Sequence, residues 1–333
     1  VTMAARERPV TQSDVAKAAG VSRGLVSQAL SGGGRMSEAT RTHIRETAQK
    51  LGYYPHSAAA ELAGGRSRRL VLILPYLTNP YFDELSSHLR VAASARGYSL
   101  IVMVSDLTRS SQVERDTIAE AVGMHPAGII FIGTSQSTEE LVTLSRRVTV
   151  CTLDRSVPDG TIWAVRIDEA AAARAIVSHL LSQGYQSLCY LSPPPSHREA
   201  IVFERVAQCR RAAAREGMDL HELDGADVEA SVAAATDLPA PALIAFNDMV
   251  ATHAATAAYR HGLTLGTDLG IVGYDDIDLA RRPGFEISSI NQNPQKLAQA
   301  TVSSVLSAPS HEPTTLSTVP RLIVRQSSTR RSS

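Results

Sequence analysis

A short segment near the N-terminus carries side chains that can hydrogen-bond to the edges of nucleic acid bases. Arg23, Ser27 and Gln28 stand on the predicted exposed face of one short helix, with Gly24 beside them. A glutamine amide can pair with adenine through two hydrogen bonds, and an arginine can pair with guanine or with a phosphate. The same residues could also be no more than the solvated face of a helical bundle, so the elements around them decide the interpretation.

Two short helices joined by a glycine turn position these residues. Thr11 and Asp14 form a capping-box pattern that opens a first helix over about residues 12–19, and Gly20 ends it. Ser22 is a good N-cap for the second helix. This spacing predicts a helix-turn-helix, in which the second helix enters the major groove of DNA and the first lies across the backbone.

A third helix and a short Ala-rich stretch follow. The third helix begins at Ser37 and ends at Gly52, and its apolar stripe is expected to pack on the first two helices. Residues 57–63 have helix propensity but no apolar face large enough to hold a helix alone. We expect this stretch to become helical only when a partner docks against it, and residues 64–69 to form a basic linker.

Net charge separates this N-terminal segment from the rest of the chain. Residues 1–69 contain eleven Lys and Arg residues against five Asp and Glu residues, a net charge of +6. The whole chain has 33 of each kind, so residues 70–333 carry a net charge of −6. Contact with a polyanion such as DNA is therefore expected at the N-terminus.

Composition excludes several other classes of protein. With 333 residues, of which 44% are hydrophobic and 20% charged, the chain is expected to form two or three globular units. It has no apolar run of the roughly 20 residues that a membrane helix needs, and residues 1–10 do not resemble an export signal. We therefore expect a cytoplasmic protein without membrane contact. Cys151, Cys189 and Cys209 have no metal-site spacing, so buried or incidental thiols are expected, with no metal and no cofactor.

From Leu70 onward, short apolar runs alternate with amphipathic helices, which predicts parallel sheets covered by helices on both faces. In open sheets of this kind, ligands bind beyond the carboxyl ends of the strands. The predicted strands are residues 70–74, 98–104, 128–132, 148–153, 188–191, 242–246 and 270–273.

Polar and aromatic residues follow several of these strands at the expected ligand-binding edge. Asn79, Tyr81 and Phe82 come after the first strand, and Asn247 and Asp275 come after two later ones. Aromatic faces stack on a ligand while amides and carboxylates fix its orientation, so the set suits a small polar molecule with hydroxyls or a charged group. Asn79 and Asn247 could equally be present because a helix N-cap or a turn needs an asparagine.

Residues 9–65 resemble the N-terminal headpiece of the LacI/GalR repressor family, and residues 70–328 resemble its periplasmic-binding-protein-like core. The headpiece resemblance is carried by Val10-Thr11, Asp14-Val15-Ala16, Ala19-Gly20-Val21-Ser22, Val26-Ser27, Ser37, Thr40-Arg41, Leu51-Gly52-Tyr53, Pro55 and Leu62-Ala63. The core resemblance is carried by Asn79-Pro80-Tyr81-Phe82, Gly97-Tyr98, Asp154-Arg155, Asp168, His179-Leu180, Gly184-Tyr185, Asn247-Asp248, Gly273-Tyr274-Asp275-Asp276 and Leu322-Val324-Arg325.

The resemblance implies an all-α DNA-binding headpiece followed by an α/β domain of two doubly wound parallel-sheet subdomains. The expected bounds are 9–55 for the helix-turn-helix domain, 56–69 for a hinge helix and linker, and 70–328 for an effector-binding and dimerisation domain. Within that domain, one subdomain would comprise residues 70–166 and 292–322, and the other residues 167–291 and 323–328.

The resemblance also implies the binding residues. Those expected at double-stranded operator DNA are Thr11, Ser22, Arg23, Gly24, Ser27, Gln28, Ser31, Arg35, Tyr53, His56, Ser57, Ala59 and Leu62. By this resemblance Leu62 would wedge into the minor groove at the operator centre. Those expected at a small-molecule effector, which would be sugar-like or nucleoside-like, are Asn79, Tyr81, Phe82, Arg155, Asp168, Arg205, Asn247 and Asp275. The protein would act as a homodimer, with a tetramer left open.

Several positions depart from the pattern of the family. Gly24 and Gln28 stand where relatives often carry a longer polar side chain and an arginine, so the operator sequence cannot be copied from a relative. His56 stands where asparagine is frequent, which leaves the capping of the hinge helix open. After Arg205, Gln208 and Cys209 replace the usual glycine and aromatic residue, so the ligand could differ from those of relatives.

Two other classes of protein fit the sequence less well than a transcription regulator. An enzyme is disfavoured because the sequence has no G-x-S-x-G, no Walker lysine and no H-E-x-x-H, and the glycines at 32–34 are expected to form a loop between DNA-binding helices. A solute-binding protein for transport would share the core fold but would have no use for a helix-turn-helix.

Overall fold

A computed structural model describes residues 8, 10–31, 35–53, 67–106, 110–153, 155, 157, 160–194, 200–307 and 312–330. The chain divides into two compact units, residues 1–67 and residues 68–333. We call the first unit the headpiece and the second the effector domain.

The headpiece contains the three predicted helices: α1 is Gln12–Ala19, α2 is Arg23–Ser31 and α3 is Glu38–Lys50. The capping box is present, because the Asp14 amide donates to Thr11 Oγ1 and the Thr11 amide donates to the Asp14 carboxylate. Gly20 ends α1 with φ +66°, a left-handed conformation that glycine adopts without a steric cost. A small core holds the helices together. It consists of Val15, Ala16, Val26, Ala29, Ile44, Ala48 and Tyr53.

The first sheet of the effector domain is parallel throughout, with strand order β11-β5-β4-β3-β1-β2. Its strands are Arg69–Leu74 (β1), Ser99–Val104 (β2), Gly128–Phe131 (β3), Thr149–Thr152 (β4), Trp163–Ile167 (β5) and Thr315–Thr318 (β11). The helices packed with it are Pro80–Ser94 (α4), Ser111–Gly123 (α5), Thr138–Ser145 (α6) and Pro294–Ser307 (α12). Alternate residues of β1 enter two different cores, so both faces of the sheet are covered. We call this sheet and its helices the first lobe.

The second sheet has strand order β12-β10-β9-β8-β6-β7, and its last strand, β12, is antiparallel to β10. Its strands are Ser187–Leu191 (β6), Leu220–Leu223 (β7), Pro241–Ala245 (β8), Gly270–Tyr274 (β9), Ser288–Asn291 (β10) and Arg321–Ile323 (β12). The helices with it are Glu169–Ser182 (α7), Ala200–Arg215 (α8), Val228–Thr236 (α9), Asp248–Arg260 (α10) and the short Asp278–Arg281 (α11), followed by a 3-10 turn, Gln326–Ser328. These elements form the second lobe.

The chain crosses between the lobes three times, and one crossing differs from the expected position. The first two lie after Ile167 and after Asn291, within a residue of the predicted boundaries. The third lies between Thr318 and Arg321, because β12 hydrogen-bonds to β10 of the second sheet. Residues 321 and 322, which we expected in the first subdomain, therefore belong to the second lobe. Pro320 separates the two strands, since proline cannot donate a ladder hydrogen bond.

All seven predicted strands are present, but five others were not predicted. Those five are β5, β7, β10, β11 and β12. They are short, and β10 reads Ser-Ser-Ile-Asn, which gives no apolar signal. Its serines are nevertheless buried because their hydroxyls have hydrogen-bond partners, such as the carbonyl of Arg325 for Ser288. No helix in the described ranges is long and apolar enough to cross a lipid bilayer.

Candidate DNA-reading helix and effector cleft

The predicted recognition helix presents its polar residues at the surface of the headpiece. Ser22, Arg23, Gly24 and Gln28 are exposed, and Ser27 is half-buried. The apolar side of α2 faces the core through Val26 and Ala29. The surface predicted to meet base edges is therefore continuous along one side of α2.

The remaining predicted DNA contacts are placed differently. Thr11 and Arg35 are exposed, and the Thr11 hydroxyl also donates to the Asp14 carboxylate at 2.7 Å. Tyr53 is buried in the headpiece core, so the structure places its ring in packing and not on the surface that α2 presents. Ser31 is the last residue of α2, but its side chain lies outside what the structure describes. His56, Ser57, Ala59 and Leu62 also lie outside the described residues.

In the effector domain, five of the eight predicted effector residues line one cleft, to which both lobes contribute. They are Asn79, Tyr81, Phe82, Arg205 and Asp275. The cleft has roughly 550 Å³ of space between its atoms, including the part that is open to solvent. Its other walls are mainly apolar, as is usual for small-molecule sites. They include Tyr76, Leu85, Ile132, Leu153, Phe246 and Leu297.

Asp275 lies at the junction of the lobes and accepts hydrogen bonds from two side-chain amides. Asn79 of the first lobe donates through Nδ2 at 2.8 Å, and Gln292, on the crossing segment, donates through Nε2 at 2.6 Å. Asp275 has φ +102°, a backbone conformation that residues other than glycine rarely adopt. Burial raises the pKa of Asp275 to about 6, although Arg205 and the two amides oppose the shift. The carboxyl group is thus held in place by groups from outside its own lobe.

Arg205 is held on the floor of the cleft by a buried ion pair. Its Nε lies 3.3 Å from Glu169 Oε1, and its Nη1 donates to the carbonyl of Phe246 at 3.0 Å. The guanidinium lies 3.6 Å from the ring centre of Tyr274, within the range of a cation–π contact. Tyr274 also donates its hydroxyl to Glu169 at 2.7 Å. Burial raises the pKa of the Glu169 carboxyl, an effect that Arg205 opposes.

These contacts define the electrostatics of the cleft. Arg205 is the one cation among the described residues that line it, and the anionic partner of Arg205 is already in place. The donors and acceptors are fixed before any ligand arrives, so little reorganisation is needed on binding. Such an arrangement suits hydroxyl groups, which can both donate to a carboxylate and accept from a guanidinium.

Three predicted effector residues do not line this cleft. Arg155 is half-buried and donates to the carbonyl of Gln136 at 2.5 Å. Asp168 caps α7, accepting from the Ala171 amide at 2.8 Å. Asn247 caps α10, accepting from the Val250 amide at 2.9 Å, and lines a neighbouring cavity.

Asn79 caps a helix, lines the cleft and reaches the second lobe. Its Oδ1 caps α4 by accepting from the Tyr81 amide at 3.1 Å, and its Nδ2 still reaches Asp275. The cap fixes the orientation of the Asn79 side-chain amide, whose Nδ2 atom donates to Asp275 of the second lobe.

Two residues that matter for the cleft were missed by sequence reasoning. Glu169, which pairs with Arg205, follows the predicted Asp168, so proximity to that residue was an unused signal. Gln292 follows β10, a strand that the polar sequence did not reveal. A polar residue directly after a strand is a ligand candidate only once the strand itself is recognised.

The arrangement matches two known sequence families. Residues 11–56 match the model described as bacterial regulatory proteins of the lacI family, and residues 177–328 match the periplasmic binding protein-like domain. Together they cover more than half of the chain. The HTH-type transcriptional regulator PtxS of Pseudomonas putida is 28% identical over 306 residues, which cover 90% of this chain and 89% of the relative.

Solved structures share the fold at lower identity. The Lac repressor dimer bound to operator and the anti-inducer ONPF has a TM-score of 0.81 and 23% identity, covering 96% of this chain and 99% of that chain. The complex of the transcriptional regulator CelR with cellobiose has a TM-score of 0.69 and 22% identity, covering 96% of this chain and 99% of that one.

A helix-turn-helix unit followed by a two-lobed binding-protein-like domain defines a bacterial transcription regulator. The chain belongs to the LacI family. The expected fold class is confirmed. The expectation that the protein is a regulator and not an enzyme is confirmed as well, because the similar proteins are transcriptional regulators.

Proposed function

We propose that the protein is a repressor that binds a near-palindromic DNA operator as a homodimer, and that a small polar effector in the interlobe cleft controls this binding. The effector is sugar-like or nucleoside-like, with hydroxyls for Arg205 and Asp275. In this proposal residues 9–55 read the operator, residues 56–69 form a hinge, and residues 70–328 bind the effector and pair the two chains.

The hydrogen bond between Asn79 and Asp275 carries the proposal. It joins the first lobe to the second at the cleft, at 2.8 Å. A ligand that contacts Asp275 must replace or extend this bond, so its binding free energy depends on how the lobes are arranged. A ligand shifts an equilibrium between two arrangements only by binding them differently, and this site offers such a difference.

The DNA side of the proposal is supported by the exposed face of α2 and by the positive charge of residues 1–69. Pairing of two chains about a two-fold axis presents two α2 helices to successive major grooves, which matches a near-palindromic site. The Lac repressor, which has the same fold, was solved as a dimer on its operator. In this proposal Leu62 enters the minor groove and its hinge segment folds on DNA, which couples effector binding to operator binding.

The effector class is supported by the chemistry of the cleft. A carboxylate, a guanidinium and two amides line the cleft together with Tyr76, Phe82 and Phe246. This combination suits a ring with polar edges and apolar faces. CelR, a structural neighbour, was solved with cellobiose.

A DNA-binding assay on the full chain tests the proposal. Fragments of the source genome are captured with the protein at low salt and then titrated at rising salt, with and without sugars and nucleosides that raise the melting temperature in a thermal-shift screen. We expect salt-sensitive binding of specific fragments and a change in their affinity on adding a hit.

One variant sharpens this assay. Leu62→Ala should weaken specific binding while leaving nonspecific binding at low salt nearly intact, whereas equal loss of both would discredit the minor-groove role. If no fragment is bound at any salt concentration, the proposed function is wrong.

A further inference from the structure

An ion pair joins the two lobes in addition to the hydrogen bond between Asn79 and Asp275. Arg166 stands on β5 of the first lobe, and Glu204 stands on α8 of the second lobe. The Nη2 atom of Arg166 donates to the Oε1 atom of Glu204, although the two residues are 38 positions apart in the chain. The two ends of this bond therefore move with different lobes.

The pair is partly shielded from solvent. The side chain of Arg166 is 13% exposed and that of Glu204 is 28% exposed. By contrast, the side chains of Arg260 and Glu229, which form an ion pair within the second lobe, are 70% and 55% exposed. Water and salt weaken an exposed pair most, so the pair between the lobes is the stronger restraint of the two.

The backbone at Arg166 lies beside two of the three crossings between the lobes. The first crossing follows Ile167, the next residue, and the third begins after Thr318. The Oγ1 atom of Thr318 donates to the carbonyl of Arg166 at 3.5 Å. Hinge motions concentrate their backbone changes at a few residues of this kind. A side-chain bond from this point to α8 therefore opposes a rotation of α8 relative to the first sheet.

Glu204 is close to the charged groups of the cleft. It directly precedes Arg205 on α8. Burial raises the pKa of Glu169, and the negative charge of Glu204 adds to that shift. Arg166 thus brings a positive charge from the first lobe to an acidic group that adjoins the buried pair of Glu169 and Arg205. Through this contact, the position of the helix that carries Arg205 is coupled to the first lobe.

We propose that Arg166 and Glu204 form an ionic latch, which holds the lobes in the arrangement described here and keeps Arg205 opposite the first-lobe wall of the cleft. Neither residue is among the described residues that line the cleft, so both are positioning residues and not effector contacts. The latch itself acts without a ligand. Its consequence for effector binding rests on the proposed function.

That consequence is quantitative. When only one arrangement of the lobes binds a ligand, the apparent dissociation constant equals the intrinsic constant divided by the fraction of molecules in that arrangement. Breaking the latch lowers this fraction, so the apparent dissociation constant should rise by the same factor. A residue that only stabilises the fold would not link the two measurements.

Distances between two spin labels, measured by pulsed electron paramagnetic resonance, report the arrangement of the lobes in the full chain without a ligand. Glu139→Cys on α6 places one label in the first lobe, and Ala234→Cys on α9 places the other in the second lobe; both positions are exposed. The three native cysteines are buried, so labelling is confined to the introduced ones. A large excess of unlabelled chain ensures that a dimer carries a single labelled copy.

The latched protein should give a narrow distance distribution, and Glu204→Gln and Arg166→Gln should each broaden it. Combining the two substitutions should broaden it no further, because each alone already breaks the pair. Arg166→Lys keeps a positive charge within reach of Glu204 and should retain most of the narrow distribution. High salt should broaden the distribution of the wild type and leave that of Glu204→Gln unchanged.

Glu229→Gln is the matched control. It removes the partner of Arg260, but both members of that pair belong to the second lobe, so the distance distribution should not change. Isothermal titration with a sugar or nucleoside that raises the melting temperature then gives the apparent dissociation constant of each variant. We expect this constant to rise in Glu204→Gln by the factor by which the main distance population falls, and to stay the same in Glu229→Gln.

The outcomes separate this inference from the proposed function. Equal distance distributions in wild type and Glu204→Gln, or equal broadening in Glu204→Gln and Glu229→Gln, overturn the latch while the effector cleft stands. A broadened distribution with an unchanged dissociation constant overturns the positioning role. If no sugar or nucleoside binds the wild type, the proposed effector class fails and the positioning role fails with it, whereas the distances still decide for or against the latch.

Discussion

The headpiece and the effector domain place their charged groups in opposite ways. In the headpiece, Arg23 and Arg35 are exposed, and the ion pair between Arg8 and Asp14 lies at the surface. In the effector domain, Glu169 and Arg205 are buried against each other. Charges directed at an external polyanion must remain solvated until it arrives, whereas charges that orient a small ligand must be fixed in advance.

The two placements have different energetic consequences. A surface ion pair contributes little to stability because water competes with it, while a buried pair depends strongly on both of its members. The pKa directions show the same contrast. Hydrogen bonds from Thr11 and Arg8 lower the pKa of the half-buried Asp14 to about 2, whereas burial raises the pKa of Asp275 to about 6. The two regions should therefore respond differently to mutation and to acid.

The largest effect is expected from Arg205→Ala, which leaves the buried Glu169 without its cation. Breaking a buried pair in this way costs about 3–5 kcal/mol of stability. Unfolding in urea can be followed by the fluorescence of the single tryptophan, Trp163, which is buried in the first lobe. The variant should also lose its response to the effector, while DNA binding at low salt persists.

A double variant controls for the loss of packing. Arg205→Met combined with Glu169→Gln removes both charges and keeps a hydrogen-bond acceptor for Tyr274, so its loss of stability should be markedly smaller. Equal losses in the single and double variants would contradict the importance of the buried pair. A normal effector dose response from Arg205→Ala would remove Arg205 from the binding site.

The response to pH should differ in sign between the two regions. The folded effector domain binds a proton at Asp275 more tightly than the unfolded chain, so the contribution of Asp275 to its stability should fall by up to about 3 kcal/mol as pH rises from about 4 to about 6. Asp14 has the opposite shift, so its contribution to the headpiece is present above about pH 4 and is lost as pH falls toward about 2.

Unfolding at a series of pH values measures this difference, with Trp163 fluorescence for the effector domain and far-ultraviolet circular dichroism for the helices. Asp275→Asn should flatten the profile of the effector domain between about pH 4 and 6. Burial raises the pKa of Asp248 as well, so part of the slope should remain in this variant. An identical slope in wild type and Asp275→Asn would show that Asp275 titrates normally.

The smallest effect is expected from Thr11→Ala in the headpiece. The Thr11 hydroxyl caps α1, and losing such a cap costs about 1 kcal/mol. Circular dichroism should detect the loss in the headpiece, and the Trp163 transition should not move. Thr11→Ser keeps the hydroxyl and should be within a few tenths of a kcal/mol of wild type. A shift of the Trp163 transition in Thr11→Ala would show that the two regions do not unfold independently.

Sequence reasoning was most successful at helix starts, where a capping residue marks the first turn. The three headpiece helices begin after Thr11, Ser22 and Ser37, because a hydroxyl can satisfy backbone amides that have no partner in the first turn. It also found the strands with strong apolar runs. It missed β10, whose buried serines are stabilised by partners far along the chain, such as Ser327 for Ser288.

Sequence reasoning predicted only part of the candidate effector site. Five of the predicted effector residues line the cleft. Asp168 and Asn247 cap helices, because Asp and Asn after a strand serve as helix caps as readily as ligand contacts. Arg155 donates to the carbonyl of Gln136. Glu169 was missed although it follows the predicted Asp168, and Gln292 was missed because it follows β10, a strand that the polar sequence did not reveal.

The sequence by itself determined the helix-turn-helix, the alternation of strands and helices, and the separation of positive from negative charge along the chain. Those features depend on residues that are close in sequence. Only the tertiary structure decided which side chains meet at the cleft, because Asn79 and Asp275 are 196 residues apart and are brought together by the three crossings between the lobes. The pKa of Asp275 follows from the same distant neighbours, since burial and a guanidinium from another helix cannot be read from the residues beside it.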